Sequence, residues 1–321
     1  LSKFVLYIVF IFTLFFARGQ QNLVPNGSFE EFNWCPSTAD GYNINASKYW
    51  TSPTIGTPDY FNECSTEYDL GLQAYRFSVP ENYYGFQYAQ DGNAYGAFVF
   101  TQNEVGSQTY SEYVQIGLME PLKGGRLYEV SFFINNPKAQ FCVNSVGALF
   151  TVSQLNLNHD QVISMTPQVS SDPGVFFCDT LLWQEVKGTF IATGGENYLT
   201  IGIFKQLPEL LVSDYYGNPI PDFPSVYLYI DDVSVTERGL EIPNIFTPNN
   251  DGANDVYYLD LKSVGATKAE IYNRWGNTVI TAENILSWDG TLNGHNCSEG
   301  VYFVRIYFED NIVNGFIQLV K

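Results

Sequence analysis

Punctuation dominates this sequence. From residue 22 to residue 236, short aromatic and β-branched runs alternate with clusters of Gly, Asn, Asp and Pro. Such runs suit pleated strands, and the clusters supply the turns between them. Almost no window keeps apolar residues at three-and-four spacing over three helical turns, so the alternation predicts an all-β sandwich. Strands are expected at 127–134 (LYEVSFFI), 147–152 (GALFTV), 183–191 (WQEVKGTFI), 198–204 (YLTIGIF) and 226–235 (VYLYIDDVSV). With 23 Tyr, 25 Phe and 5 Trp, the chain has ample apolar surface to bury, which excludes disorder.

Residues 208–224 (PELLVSDYYGNPIPDFP) carry four prolines between two strong strands and are expected to form a long surface loop. The composition breaks at Glu237, Arg238 and Gly239. Beyond it a smaller antiparallel module is expected, with strands at 269–272, 278–280, 301–308 and 312–320. The predicted division is therefore a leader at 1–19, a larger sandwich at 20–237 and a small immunoglobulin-like sandwich at 238–321.

The leader has Lys3, an apolar run over 4–16, and then Ala17, Arg18 and Gly19, the pattern of a secretory signal peptide cut before Gln20. The run is shorter than a membrane-spanning helix needs, and no later stretch is long and apolar enough, so export without a transmembrane segment is expected. An oxidising destination favours disulfides, and proximity pairs Cys35 with Cys64 and Cys142 with Cys178. Cys297 is left as a shielded thiol. Against 34 acidic residues stand 15 Lys and Arg, a formal net charge of −19, which excludes a nucleic-acid binder because clustered cations are what hold a phosphate backbone.

Nothing in the sequence composes a catalytic site. His159 and His295 sit in polar turn text, no nucleophile elbow or metal-ligand spacing is present, and no carboxylate pair stands out among the acids. A non-catalytic protein is expected, with a polysaccharide-degrading enzyme as the rival. Flat aromatic faces flanked by amides are what sugars stack on, and Tyr83, Tyr84, Phe86 and Tyr88 cluster around Gly85, while Tyr215, Tyr216 and Asn218 lie in the proline-rich segment. These are the candidate ligand platforms, although core packing accounts equally for Trp50, Trp183 and most Phe.

The smaller module carries a family resemblance. IPNIFTPNNDGANDVYYL (242–259), IYNRWGNTVI (271–280), SWDGTLNG (287–294), GVYFVRIYF (300–308) and GFIQLVK (315–321) resemble, in order, the gliding-motility-associated C-terminal domain of Bacteroidota, the type B sorting signal of type IX secretion. The resemblance implies passage through the outer membrane, with the type IX translocon and its outer-membrane carrier as partners and the cell surface as destination. Arg274, Trp275 and Gly276 are expected to make a hairpin turn with an aromatic cap. Asn249, Asp251, Asn254 and Asp255 place oxygens around Gly252 as a calcium loop would, but Tyr258 stands where an EF-hand has its closing glutamate, and Asx turns explain the same residues.

The larger module is similar to carbohydrate-binding-module-like jelly rolls of the galactose-binding type, on NLVPNGSFEEF (22–32) at its start and YLYIDDVSV (227–235) at its end. The resemblance implies a glycan or surface-protein ligand and a structural calcium tying the first strand to the last. Glu30, Asp231 and Asp232 are the expected calcium ligands, since carboxylates inside a strand need a counter-charge. Exposed strand-end acids that blunt an edge are the alternative.

Overall fold

Two layers of antiparallel strands build the larger module in the computed structural model, which describes residues 21–40, 43–102, 109–206, 212–214, 225–238, 243–262, 264, 266–308 and 312–321. One sheet orders Trp50–Thr51, Tyr113–Gly117, Tyr198–Gly202, Gly147–Thr151 and Val169–Ser170. The other orders Gln184–Ile191, Leu127–Asn135, Ser225–Arg238, Ala94–Gln102 and Asp59–Asn62, with Thr109–Ser111 also paired to Ala94–Gln102. The fold is all-β, a sandwich of the jelly-roll kind. The leader at 1–19 and Tyr215, Tyr216 and Asn218 lie outside the described residues.

Period-two alternation explains the core. In Leu127–Asn135, Tyr128, Val130, Phe132 and Ile134 are buried and the intervening positions are more open. They meet Ile116, Phe150, Leu199 and Ile201 of the facing sheet, and Val226, Leu228 and Ile230 of the neighbouring strand. The alternation is then interrupted at the two aspartates. Asp232 takes a φ of +48°, and the register against Leu127–Asn135 shifts between Ser131 and Phe133. This bulge adds one residue to the strand, so Val233 and Val235 return to the core instead of facing outward. Asp tolerates the left-handed conformation that the bulge requires.

The opening segment is fastened to this last strand. Asn22 Oδ1 accepts from the Val235 amide at 2.9 Å, and the Val233 amide donates to the Gly27 carbonyl at 2.9 Å. Gly27 is required because a Cβ there would lie 2.0 Å from the Val233 carbonyl oxygen.

Strand ends differ from the expected ones by a few residues. The larger departure is within the proline-rich segment, where Val212–Asp214 pairs with Phe141–Val143 instead of remaining loop. The final sandwich strand ends at Arg238, one residue past the expected boundary. Both disulfides form, Cys35–Cys64 with Cα atoms 5.9 Å apart and Cys142–Cys178 with 5.0 Å, and Cys297 is a half-buried free thiol.

The smaller module has a five-stranded sheet ordered Ile245–Phe246, Ile312–Leu319, Gly300–Tyr307, Lys268–Tyr272 and Thr278–Ala282, plus a pair Tyr257–Asp260 and Ile285–Trp288. Its own core contains Phe246, Tyr257, Ile271, Trp288, Val304, Ile306, Ile317 and Leu319. Trp275 does not cap this core. It is 74% exposed on the turn, with the Arg274 guanidinium 5.2 Å from its ring. The 249–255 loop is held by its own side chains: Asp255 accepts from the amides of Asn249, Asn250 and Gly252, and Asx turns at Asn249 and Asp251 accept from the amides of Asp251 and Ala253.

Candidate functional site

The outward face of the second sheet makes the site. Because Val226, Leu228 and Ile230 point inward, Tyr227 and Tyr229 must point outward, next to Val99, Ala97 and Tyr95 of the adjoining strand and Asp59 and Phe61 of the next. Part of this face is covered by Phe77, Val79, Tyr84, Ala89 and Trp183, forming a second aromatic cluster with Phe61, Tyr95 and Tyr229. The uncovered part is a cleft of about 460 Å³. Tyr84, Tyr227, Asp59, Glu112, Lys138 and Gln140 are among the residues that line it, together with Thr57, Asn136 and Ser225.

Tyr84 stacks on Tyr227 with ring centroids 3.7 Å apart, and the Lys138 ammonium lies 5.2 Å from the Tyr84 ring and 4.8 Å from the Tyr83 ring. Such a wall offers aromatic surface, a cation and the Gln140 amide, groups that recognise polar organic ligands, while the buried Asn136 amide is spent on the Phe141 and Phe177 carbonyls and the Ala139 amide.

Two carboxyl groups sit at the cleft in unlike surroundings. Glu112 accepts from the amides of Thr57 and Val99, each at 3.0 Å, from the Tyr110 hydroxyl at 2.5 Å and from the Thr57 hydroxyl at 3.3 Å. Burial raises its pKa, and those donors pull the other way. Asp59 is 4% exposed, takes the Tyr227 hydroxyl on Oδ2, and among the described residues has no partner for Oδ1. Burial first and the Glu112 charge second push it up to about 8, the Tyr227 bond opposing. An unmet buried hydrogen-bonding group costs about 1–3 kcal/mol, so Asp59 sits under strain unless a ligand relieves it.

The sequence-predicted platform divides here. Tyr84 enters the cleft wall. Tyr83, 44% exposed, borders an adjoining hollow of about 290 Å³ with Leu72, Arg76 and Phe77. Tyr88, 67% exposed, and Phe86 make an edge-on pair outside the cleft lining. Asp59, Glu112, Lys138 and Tyr227 were not singled out by sequence. The one available signal was Tyr227 and Tyr229 alternating with core residues on a strand.

Glu30, Asp231 and Asp232 do gather at one end, where the opening segment, the 90–93 loop and the last strand meet. Asp231 accepts from the amides of Gln90 (2.7 Å), Asp91 (3.1 Å) and Asp232 (2.7 Å), and Glu30 from that of Asn93 (2.8 Å). Gly92 has a φ of +74°, and a Cβ there would collide with the Glu30 carboxylate. Burial raises all three acids, and Asp91 adds repulsion at Glu30 and Asp232. The donors are hard oxygens of one charge sign, which suits calcium, but Asp231 spends its oxygens on amides. Among the described residues no three His, Cys, Asp or Glu side chains form a ready metal cage.

No helix among the described residues is long and apolar enough to cross a membrane. No curated protein matches the chain. Among solved structures, a CBM4 domain is 16% identical over 67% of this chain and 99% of its own, with a TM-score of 0.28. The CBM22-1–GH10 modules of Clostridium thermocellum xylanase 10B are 12% identical over 62% of this chain and 30% of their own, at 0.29. The adhesin domain of Epf from Streptococcus pyogenes is 9% identical over 82% and 92%, at 0.23. Nothing about this chain's ligand follows from scores at that level. Residues 240–319 match the CHU_C type IX secretion signal domain, which marks this as an exported protein.

Proposed function

We propose that this chain is a non-catalytic cell-surface protein, delivered by type IX secretion, whose sandwich cleft binds an oligosaccharide. The observation that carries the reading is the Tyr84–Tyr227 wall beside Lys138 and Gln140 in one open cleft. Sugar rings present C–H faces to such aromatics and hydroxyls to such an amide. The smaller module would engage the translocon and its outer-membrane carrier through its folded surface, leaving the sandwich outside the cell for adhesion.

Asp59 and Glu112 form a carboxyl pair, but both are buried and Glu112 is fully engaged by donors, an arrangement that serves binding better than hydrolysis. A calcium ion near Glu30, Asp231 and Asp232 belongs to the same reading, its support being the mutual repulsion of acids there. It would supply counter-charge where the opening segment meets the last strand.

A glycan array probed with the purified chain tests the proposal, with release of reducing ends as the enzymatic control. Binding to at least one oligosaccharide without cleavage is expected. Silence on the array with capture of a surface protein would instead favour a protein-assembly role, for which exposed Leu70, Leu72, Phe86 and Tyr88 are the supporting observation.

A further inference from the structure

We infer that Asp59 serves in the cleft as an uncharged acid that hydrogen-bonds the hydroxyls of a neutral saccharide, and that charging it expels that saccharide. For its ligand the inference rests on the oligosaccharide reading; for the proton it does not.

The geometry assigns charge and proton to different carboxyls. Glu112 collects two backbone amides and two hydroxyls, donors that oppose the upward push of burial and favour its charged form far more than anything around Asp59 does. Asp59 has one donor, Tyr227, and an Oδ1 with no partner among the described residues. The groups that face it are Tyr227 from the last strand, Glu112 with Tyr110 behind it, Tyr84 stacked over Tyr227, and Lys138 across the cleft. Lys138 lies over the rings of Tyr83 and Tyr84, and no ion pair to Asp59 or Glu112 occurs among the described residues. A second negative charge beside Glu112 would therefore lack compensation, whereas a neutral acid costs little. Burial agrees by pushing Asp59 up to about 8, with the nearby Glu112 charge as the second cause.

Ligand class follows from the proton. A neutral carboxyl donates and accepts, as each sugar hydroxyl does, so the two pair without stranding a charge. Anionic sugars meet the fixed charge of Glu112 and a chain of net charge −19. Once Asp59 ionises, it can only accept, and the cleft floor carries two like charges.

Infrared spectroscopy of the ligand-free full chain tests the proton first. A protonated-carboxyl stretch at pH 7 is expected to be stronger in the parent than in Asp59→Asn, which keeps only other buried acids such as Asp231; the parent-minus-variant component should fade with a midpoint near 8 and move about one pH unit lower in a Glu112→Gln background. Neutral hexasaccharides of glucose, xylose and mannose, with a galacturonic-acid hexamer as the anionic counterpart, then test the ligand. Affinity for a neutral hexamer should fall about thirtyfold between pH 7 and pH 9.5, and stay flat in Asp59→Asn. No loss of protonated-carboxyl intensity at pH 7 between the parent and Asp59→Asn, equal affinity at both pH values, or preference for the anionic hexamer overturns the inference. If no hexamer binds while the stretch behaves as described, the proton assignment stands and the oligosaccharide reading falls.

Discussion

Tyr84 lies face to face with Tyr227, ring planes 9° apart, and the Tyr227 hydroxyl beneath that stack donates to Asp59. One ring belongs to the segment folded over the sheet and the other to the last strand, so the pair fastens cover to floor at the cleft.

Removing either ring should therefore act on binding and stability together. An offset or stacked aromatic pair contributes about 0.5–1.5 kcal/mol beyond its buried area. Tyr84→Ala is expected to weaken oligosaccharide binding by about tenfold or more and to lower the unfolding midpoint. Tyr88→Ala, outside the cleft lining, should change neither, and Tyr83→Ala should fall between them. Calorimetric titration of the three variants decides; a loss in Tyr88→Ala equal to that in Tyr84→Ala would move the site to the exposed hairpin.

Asp59 also makes stability depend on pH in a known direction. Its folded pKa is raised to about 8 by burial, from an ordinary aspartate value near 4. Between those values the unfolded chain has released a proton that the folded chain keeps, so stability falls as pH rises, by about 1.4 kcal/mol per unit. Below the window both states are protonated and this loss is gone. Asp59→Asn should remove the slope, making the variant more stable than the parent at pH 8 and closer to it at pH 4. Urea unfolding at several pH values measures this, and parallel curves for the two proteins would contradict it.

The fold was legible where chemistry is local. Val226, Leu228 and Ile230 alternate with Tyr227 and Tyr229, which fixes both strand and facing, and Asp231–Asp232 marks the place where alternation breaks. Val212–Asp214 was hidden because three residues inside a proline-rich segment carry no period, and only pairing with Phe141–Val143 makes them a strand. The cleft was hidden for a similar reason. Asp59 and Glu112 are far apart in sequence and meet only because Asp59–Asn62 and Thr109–Ser111 both pair with Ala94–Gln102. Tyr83, Tyr84 and Tyr88 look alike in the sequence, and only the cover that Tyr84 makes over Tyr227 separates them.

The two disulfides should prove unequal in function though similar in stability. They close loops of sequence separation 29 and 36, for which chain entropy gives about 3–4 kcal/mol each. Cys142 lies in Phe141–Val143, whose neighbour Asn136 donates to the Phe141 and Phe177 carbonyls and lines the cleft. Cys142→Ser with Cys178→Ser should lose stability and ligand affinity; Cys35→Ser with Cys64→Ser should lose stability alone. Equal affinity losses in the two double variants would argue against a role for the 136–141 wall.

Calcium gives a further stability test. Repulsion among Glu30, Asp91 and Asp232 is relieved by a divalent cation, so millimolar calcium should raise the melting temperature and a chelator should lower it. Glu30→Gln should abolish the response. If the parent melts identically with calcium and with chelator, the amides of Gln90, Asp91, Asp232 and Asn93 suffice and the metal proposal is withdrawn.

Export and binding should separate at Arg238. The sandwich core gathers Val130, Phe132, Leu228 and Ile230, whereas the signal domain has its own core around Phe246, Trp288, Ile306 and Ile317, so each has the buried apolar surface to fold. Ending the chain after Arg238 should leave cleft binding intact in the purified protein while the product accumulates inside the outer membrane. Trp288→Ala empties a site that is buried against Phe246 and Tyr302, a loss of about 3–5 kcal/mol, and should block export by unfolding the signal. Trp275→Ala removes an exposed ring, leaves that core whole, and should reduce export far less. Fractionation of cells expressing the three forms reads all of this, and a truncated chain recovered outside the cell in normal amounts would show that residues 240–319 are not what the secretion machinery recognises.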